Sequence, residues 1–480
     1  MVSASVVPLE EYRQAEVWRE TRQRLRERFD EWLDKLEAEV TEDRPSLQEL
    51  TQAAFGLGHE LTGMVTESLI ESRYSDALDQ QAMSCPTCDR FLRARAAPTR
   101  TVETMVGRVS LRRPYFYCVR CERGYYPLDE ALKLSERTKQ WDIQKAGAKL
   151  AAEMPYETAQ KLFKELTGLT LSDHTAHEVV DEVGHGLGVL DVSPTAEEVS
   201  ERVAEVSQRK KWRPVLVSAI DGAHVPTRPE RARGTGRGKK RARARRARWQ
   251  GEWREAKGFR FYLVDKERIV HLVSWHQIQS DAELADALRQ VKKAGLVPED
   301  RVRLCVVGDG ARWIWNRVGE LFPSAVEVLD YYHCVEHLHK VAAVQFDGEH
   351  DRQCEWVEMS TARLFYGYVD WVIADLDRMK PKGKQAGEEI RKLIGYLEEN
   401  ADRVDYGSLR KGGYPIGSGG IESANKAISH VRLKRSGAWW YVGKANQMLA
   451  LRCAEYNGTF DKVFRAYQRR KLSDASGPKS

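Results

Sequence analysis

The chain has 480 residues, of which 42% are hydrophobic and 31% are charged, so it has room for about three domains with ordinary cores. It contains neither an apolar run long enough to cross a bilayer nor a recognisable signal peptide, so we expect a cytoplasmic protein without a membrane partner. The net charge is +6, and eight cysteines in a reducing compartment need an explanation other than disulfide bonds.

Residues 1–80 predict an N-terminal helical region. The stretch Trp18–Val40 is dense in Arg and Glu and carries apolar residues at helical spacing. A solvated helix that packs on a neighbour is the simpler interpretation. Dimerisation or binding to the ends of a DNA substrate is the alternative.

Residues 81–130 predict a zinc ribbon. The pairs Cys85/Cys88 and Cys118/Cys121 form two CxxC knuckles, and an alternating stretch with a turn at Gly107 predicts a β-hairpin between them. Two such knuckles complete a tetrahedral Zn²⁺ site. Because cysteine fills all four positions, the zinc would be structural; a redox pair or free thiols are the alternatives.

Residues 131–205 predict a second helical region. Within it, Tyr156–Val180 gives a helix, a turn at Gly168 and a second helix that begins after Ser172, a good N-cap residue. This order is typical of a DNA-binding helix-turn-helix, and an ordinary αα-hairpin remains the alternative.

From residue 206 the pattern becomes α/β. Three strands and a helix over Asp281–Lys293, followed by strand, helix, a short strand over Val326–Leu329 and a further helix, predict the first part of an RNase H-like core over residues 206–346. Residues 347–410 predict an all-α insertion, residues 411–465 the second part of the core, and residues 466–480 a disordered basic tail. The fold class is therefore multidomain α/β, with a catalytic core interrupted by helices.

Two aspartates follow apolar strands of this core. Asp221 comes after Val215–Ile220, and Asp309 comes after Val302–Val307, each with a glycine next in the chain. Adjacent strands that end in Asp place hard oxygen ligands side by side, which suits Mg²⁺ or Mn²⁺. Two such ions per site would cleave a phosphodiester by clamping the attacking and leaving oxygens. A lone Asp-Gly is otherwise a turn signal.

Two further residues are candidates for the same site. Glu422 opens a late helix after a glycine-rich turn and would supply the third carboxylate, although an acid at a helix start also stabilises the helix dipole. His333 follows the next strand and would donate a hydrogen bond to phosphate or carry a proton. A helix-capping or core histidine is the alternative.

Residues 228–248 form a basic loop with eleven Lys or Arg and one Glu, while the rest of the chain is net acidic. Such a stretch cannot form a core, and contact with a phosphate backbone is the economical interpretation. A second basic stretch follows Glu422 and carries Trp439 and Trp440, which would stack on bases or pack in the core. The DNA-binding candidates in the two stretches are Arg237, Lys239, Lys240, Arg241, Arg243, Arg245, Arg246, Arg432, Lys434 and Arg435.

Several longer motifs together resemble a known family. They are the two knuckles followed by Tyr126-Pro-Leu-Asp129, Tyr156-Glu-Thr-Ala159, Trp253-Arg-Glu-Ala-Lys257, Asp309-Gly-Ala-Arg-Trp-Ile-Trp-Asn316, Leu329-Asp-Tyr-Tyr-His333, Pro415-Ile-Gly-Ser-Gly-Gly-Ile-Glu-Ser-Ala-Asn-Lys426 and Arg432-Leu-Lys-Arg-Ser-Gly437. Over about Cys85–Arg452 the chain resembles bacterial insertion-sequence transposases of the ISKra type and, more distantly, Mutator-like DDE transposases.

The resemblance implies that Asp221, Asp309 and Glu422 are the catalytic triad of an RNase H-like nuclease, with an insertion domain between the last two. It implies a bacterial, nucleoid-associated transposase that binds the terminal inverted repeats of its element and target DNA, and works as a dimer or larger assembly. The basic loop is longer than the family leads us to expect. A nuclease or resolvase without strand transfer, and a non-enzymatic zinc-ribbon regulator, are the alternative functions.

Overall fold

The computed structural model of the chain describes residues 9–40, 43–208, 211–229, 250–265 and 268–476. The chain divides into two compact units, Met1–Val179 with Arg465–Ser480, and Val180–Phe464. Within the described ranges, no helix is both long and apolar enough to cross a membrane.

The first unit opens with a helical hairpin. Trp32 Nε1 donates a hydrogen bond to the carbonyl of Leu57 at 3.0 Å, and Arg28 pairs with Glu67 at 3.0 Å, so a hydrogen bond and an ion pair join α1 to α2. The helices of the unit are α1 (Leu9–Glu39), α2 (Leu47–Arg73), α3 (Ser75–Leu78), α4 (Pro127–Ala131), α5 (Trp141–Glu153), α6 (Tyr156–Thr167) and α7 (Asp173–Gly184), the last of which ends beyond Val179.

Three two-stranded antiparallel sheets follow the hairpin in the chain. They pair β1 (Ala82–Ser84) with β2 (Phe91–Arg93), β3 (Thr99–Thr104) with β4 (Gly107–Arg112), and β5 (Phe116–Cys118) with β6 (Arg123–Tyr125). The β3–β4 hairpin turns at Gly107, which has φ +116°, a conformation that glycine adopts without strain. The hairpin predicted at Gly107 is therefore confirmed.

Helices α6 and α7 are joined by a short turn, an arrangement that fits both the predicted helix-turn-helix and the alternative αα-hairpin. Gly168 ends α6 in the left-handed region at φ +69°, and the Ser172 hydroxyl accepts the backbone N–H of Thr175 at 3.1 Å. Phe163 and Ala176 are buried together with Ile143 of α5, so the inner faces of the two helices pack in the core of this unit. DNA binding by α7 stays a prediction.

The second unit is a mixed α/β structure built on a five-stranded sheet. Its strands are β7 (Val215–Thr227), β8 (Glu252–Asp265), β9 (Arg268–Ile278), β10 (Arg303–Gly308) and β11 (Val326–Leu329), in the spatial order β11-β10-β7-β8-β9. Strands β7, β8 and β9 pair antiparallel, whereas β10 pairs parallel with both β7 and β11. The first six residues of β7 are all buried, as expected for a strand covered on both faces.

The remaining helices belong to the second unit, except that the last of them continues into the first unit from Arg465 onward. They are α8 (Ala196–Ser207), α9 (Asp281–Lys293), α10 (Arg312–Leu321), α11 (Tyr331–Gln345), α12 (His350–Tyr366), α13 (Val369–Arg378), α14 (Lys384–Glu399), α15 (Tyr406–Lys411), α16 (Gly419–Asn425), α17 (Val431–Leu433), α18 (Val442–Tyr456) and α19 (Phe460–Ser476). A five-residue π-helical segment, Lys426–His430, connects α16 to α17.

Two expectations from the sequence are corrected. Strand β7 does not stop at Ile220 but continues to Thr227, because its second half pairs with β8 in a long antiparallel ribbon. The segment expected to be a disordered tail is helical to Ser476, because Phe460, Phe464 and Tyr467 lie at helical spacing and are buried.

Candidate active site

The strand register brings three aspartates to one level of the sheet. Strand β10 pairs with β7 up to Val307 opposite Ala219, and two further residues along each strand are Asp309 and Asp221. Strand β10 also pairs with β11 up to Gly308 opposite Leu329, and the next residue of that strand is Asp330. Since these strands are parallel, the three carboxylates lie at the same edge of the sheet.

Asp221 lies in an environment that disfavours its negative charge. Its pKa is raised to about 6, chiefly by burial and also by the charges of Asp309 and Glu255, while the Gly222 backbone N–H and His333 act in the opposite direction. The Gly222 N–H donates to Asp221 Oδ1 at 2.7 Å, and Asn425 Nδ2 donates to Oδ2 at 2.7 Å. The acid pair, Asp221 and Asp309, is thus a half-buried concentration of negative charge that a cation would neutralise.

The insertion helices hold the loop that carries Asp309. The backbone N–H of Ala311 donates to Asp309 Oδ1 at 3.0 Å, and the Tyr396 hydroxyl of α14 donates to the Asp309 carbonyl at 2.8 Å. Gly310 has φ +93° and lies against the Tyr396 ring, where an added Cβ would come within 2.7 Å of the ring. The predicted all-α segment is therefore helical and positions one member of the acid pair.

Asp330 and His333 lie beside the pair. Asp330 is fully buried and caps α11 by accepting the Tyr332 N–H at 2.8 Å, while its Oδ2 has no hydrogen-bond partner within the described residues. His333 Nε2 lies 3.9 Å from that oxygen, and its other ring nitrogen lies 3.5 Å from Glu336. His333 is partly exposed and acts electrostatically on Asp221, so it faces the acid pair rather than the core.

Glu422 lies on the first turn of α16, with its side chain exposed. Asn425, three residues later, contacts Asp221, which places Glu422 one turn away on the same helix. The carboxylate oxygens of Asp221, Asp309 and Glu422 do not all lie within 4.8 Å of one another. The structure therefore brings the two aspartates together and leaves Glu422 beside them, outside a closed cluster.

Two neighbours of Asp221 were missed by sequence reasoning. Glu255 on β8 lies over Gly222, where an added Cβ would overlap its carboxylate, and it also lies 3.9 Å from Lys257. Asn425 lies 204 residues from Asp221 in the chain. Both belong to motifs that carry the family resemblance, which was the available signal, but only the β7–β8 pairing and the position of α16 reveal their contacts.

The four cysteines of the two knuckles do form a closed cluster. Their sulfur atoms all lie within 4.8 Å of one another, with Cys85 and Cys121 3.9 Å apart and Cys88 and Cys118 3.6 Å apart. A tetrahedron with Zn–S bonds of about 2.3 Å has sulfurs about 3.8 Å apart, which fits these separations. No other group of three or more metal-ligating side chains within the described ranges is as close.

The local structure of the knuckles supports the same arrangement. Asp89 and Glu122, each directly after the second cysteine of a knuckle, adopt φ values of +56° and +54°. The Tyr125 hydroxyl, 3.4 Å from Cys85 Sγ, is the largest of several effects that lower the pKa of that thiol to about 6, whereas hydrogen bonding to Cys88 is the largest of the effects that raise the pKa of Cys121 to about 12.

Most of the predicted DNA-contacting loop, residues 230–249, lies outside the described residues, including every loop candidate from Arg237 to Arg246. The base of the loop is described. There the backbone of Trp440 exchanges hydrogen bonds with Pro226 and Arg228, at 3.1 and 2.9 Å. The second basic stretch therefore ends beside the base of the β7–β8 ribbon that carries the loop.

The second basic stretch divides into exposed and buried cations. Lys434 and Arg435 are exposed, and Lys434 Nζ lies 5.8 Å from the ring centre of Trp253 on β8. Arg432 departs from the expected surface contact, because it is only 4% exposed and its guanidinium lies over the Trp440 ring. Trp440 is half-buried, so packing accounts for part of its surface.

The fold and this site define an α/β protein that carries a half-buried acid pair at the edge of a mixed five-stranded sheet. The chain belongs to the uncharacterised protein family UPF0236, whose model matches residues 40–470. No curated protein matches it. A solved structure described as the Drosophila P element transposase strand transfer complex is 12% identical, covers 69% of this chain and 80% of that one, and has a TM-score of 0.26. A similarity of that size establishes neither a common fold nor a common activity, and the ISKra-type relationship stays a prediction.

Proposed function

We propose that the protein is a DNA transposase that cleaves and joins DNA strands with divalent metal ions at the acid pair. The observation that carries this proposal is the juxtaposition of Asp221 and Asp309 on adjacent parallel strands, where burial and mutual repulsion raise the pKa of Asp221 to about 6. Two carboxylates that approach each other in a half-buried position repel each other, so their pairing favours a role in binding a cation over a purely structural role.

The donor set fits a hard divalent cation. Carboxylate oxygens are the ligands that Mg²⁺ and Mn²⁺ prefer, and a cation would relieve the charge that raises the Asp221 pKa. The four thiolates of the knuckles instead fit Zn²⁺ and leave no position open for water, so the zinc would hold β1–β2 and β5–β6 together. The two sites therefore differ in both ligand chemistry and role.

Bound divalent ions would activate the attacking oxygen and neutralise the leaving oxygen of a phosphodiester. Asp221 and Asp309 would hold these ions, with Glu422 as the third acid from the first turn of α16. His333, which already faces Asp221, would donate a hydrogen bond to the scissile phosphate. The Tyr396 hydroxyl keeps the Asp309 loop in place.

The sheet supports a finer assignment of the fold. Three antiparallel strands are followed in the chain by two strands that join in parallel beside the first, with the helical segment inserted before α16. This is the arrangement expected of an RNase H-like core with an insertion domain. The knuckles and their short strands support a zinc ribbon in the same way.

DNA would lie across the face that carries the basic residues. Lys434 and Arg435 are exposed beside the base of the β7–β8 ribbon, whose loop carries the larger basic stretch. Contacts from such cations go mainly to phosphates, so they would add affinity without sequence specificity. The zinc ribbon and the α6–α7 hairpin would recognise the terminal inverted repeats, and two copies of the chain would hold the two ends of the element.

The experiment is an in vitro reaction on DNA that carries the repeats flanking the gene, with Mg²⁺ or Mn²⁺. It compares the wild type with Asp221→Asn, Asp309→Asn and Glu422→Gln. Each variant should lose more than about 100-fold in cleavage, because even loss of a residue that only supports a metal ligand costs roughly 10- to 100-fold. Asp286→Asn, at an exposed position on α9, is the matched control and should react normally.

The products separate the candidate functions. End-specific nicks together with joined strands from the wild type would support the transposase. Nicks without joining would favour a nuclease or resolvase, and binding without cleavage would favour a regulator. Normal cleavage by Glu422→Gln would mean that another acid completes the site, and Glu255 would then be the next candidate.

A further inference from the structure

A row of three residues crosses the sheet at the level of the acid pair. Asp221 on β7 lies opposite Gly258 on β8, and Gly258 lies opposite His276 on β9. Residues directly opposite each other on neighbouring strands project to the same face of a sheet. An added Cβ at Gly258 would overlap the His276 ring, so the imidazole lies across the glycine and reaches towards β7.

Asn425 of α16 closes this row from above the sheet. Its Nδ2 donates to Asp221 Oδ2 at 2.7 Å, whereas its Oδ1 is buried and has no hydrogen-bond partner among the residues that the structure describes. Both ring nitrogens of His276 are likewise buried without a partner in the described part of the chain, and the residue is 0% exposed. The Asn425 side chain lies close enough to His276 to act on the pKa of that imidazole, which it raises against the larger lowering effect of burial.

These unpartnered atoms are complementary. A neutral imidazole has one N–H donor and one acceptor, and an amide oxygen accepts only. Burial, the larger effect, lowers the pKa of His276 to about 4, so the ring is neutral at physiological pH and offers one N–H. A buried donor such as the His276 N–H and a buried acceptor such as Asn425 Oδ1 each destabilise the folded protein when they are unpaired. A small rotation of the Asn425 amide that brings the two together removes both penalties.

We propose that His276 is a positioning residue: its N–H donates to Asn425 Oδ1, which fixes the amide so that Nδ2 faces Asp221 and holds that carboxylate ready for a divalent cation. This inference rests on the proposed function, because it assigns the metal to Asp221. The inference extends the site to His276, a fully buried residue on the edge strand β9, which would act on the metal site without touching the substrate. Outer residues of this kind commonly orient the ligands of metal sites.

The sheet supplies a matched control for simple packing. His271, also on β9, is largely buried, and burial lowers its pKa to about 4 as well. Its Nε2 lies 3.0 Å from the side-chain oxygen of Asn457, so the two histidines share a strand, an asparagine neighbour and a similar environment. Only His276 lies in the row that contains Asp221.

The test measures Mn²⁺ binding to the full-length protein by electron paramagnetic resonance, without DNA. The Asp221→Asn variant shows whether the measured Mn²⁺ binds at the acid pair. His276→Phe keeps a ring over Gly258 but removes its polar atoms, and it should weaken Mn²⁺ binding by about 10-fold or more, as should Asn425→Ala. His276→Gln retains an N–H donor and should stay within about threefold of the wild type. Combining His276→Phe with Asn425→Ala should add little to either, because both act through one contact.

His271→Phe should lower the thermal unfolding temperature without changing Mn²⁺ affinity. The proposal is overturned if His276→Phe, folded by circular dichroism, binds Mn²⁺ like the wild type, if His271→Phe weakens binding equally, or if Asp221→Asn leaves binding unchanged. If His276→Phe does not fold, equal weakening by His276→Gln and Asn425→Ala would overturn it. Mn²⁺ binding with these effects but no DNA cleavage would sustain the positioning role and refute the transposase.

Discussion

The Asp221→Asn variant should be more stable than the wild type at neutral pH when no divalent metal is present. The pKa of Asp221 rises from 3.8 to about 6 in the folded protein, chiefly through burial and secondarily through Asp309. Each unit of pKa corresponds to 1.36 kcal/mol, so the ionised carboxylate lowers the free energy of unfolding by up to about 3 kcal/mol. Asparagine occupies nearly the same volume without the charge.

The sign of the effect fixes its pH dependence. Because the folded pKa is the higher one, the stability linked to Asp221 is fully present below pH 3.8 and is lost as the pH rises towards 6. Asp221→Asn should therefore match the wild type near pH 3.5 and gain stability above pH 6.

The assay is urea unfolding followed by tryptophan fluorescence across this pH range, in the presence of a chelator. Adding Mn²⁺ should stabilise the wild type and not Asp221→Asn, which closes the difference between them. A gain of equal size at pH 3.5 and pH 8, or a variant less stable than the wild type at pH 8, would refute the reasoning.

Three further substitutions test other contacts. Cys118→Ser should reduce bound zinc from about one ion per chain to none, as measured by atomic absorption, and unchanged zinc content would contradict the cluster. Gly258→Ala should destabilise the protein by about 1–3 kcal/mol, because the added Cβ meets a buried imidazole. As a control, Gly395→Ala, which has open space around it in a helix, should stabilise the protein by up to about 1 kcal/mol. Chemical denaturation measures both changes, and equal effects would contradict the packing at Gly258. Tyr396→Phe removes the hydroxyl bound to the acid-pair loop and should lower stability by about 1 kcal/mol and cleavage severalfold, and an unchanged rate would show that the loop holds without it.

Some expectations from the sequence concerned residues whose contacts are not local. Arg432 was expected on the surface, because it belongs to a basic stretch, but Trp440 covers its guanidinium. The end of β7 was expected at Ile220, because Asp-Gly is a turn signal, but pairing with β8 continues the strand. In both cases a tertiary partner outweighed a correct local preference.

The sequence by itself determined the features that depend on neighbouring residues. Helix α9 spans Asp281–Lys293 as its pattern predicts, because Ser280 and Glu283 form a capping box and an apolar stripe follows them. Strand β11 spans Val326–Leu329 as predicted, and the two CxxC knuckles indicated their cluster before any fold was known. These signals operate within one helical turn, one short strand or one tight loop.

Only the tertiary structure decided how the acid pair is surrounded. In the folded chain Glu255 lies over Gly222, and the His276 ring lies over Gly258. Asn425 contacts Asp221, which is 204 residues away in the sequence. No local periodicity encodes these contacts, because they depend on strand register and on which helix returns to the sheet after the insertion. Register and helix placement come from burying the whole sheet at once, so the site's supporting residues become visible only when the chain is folded.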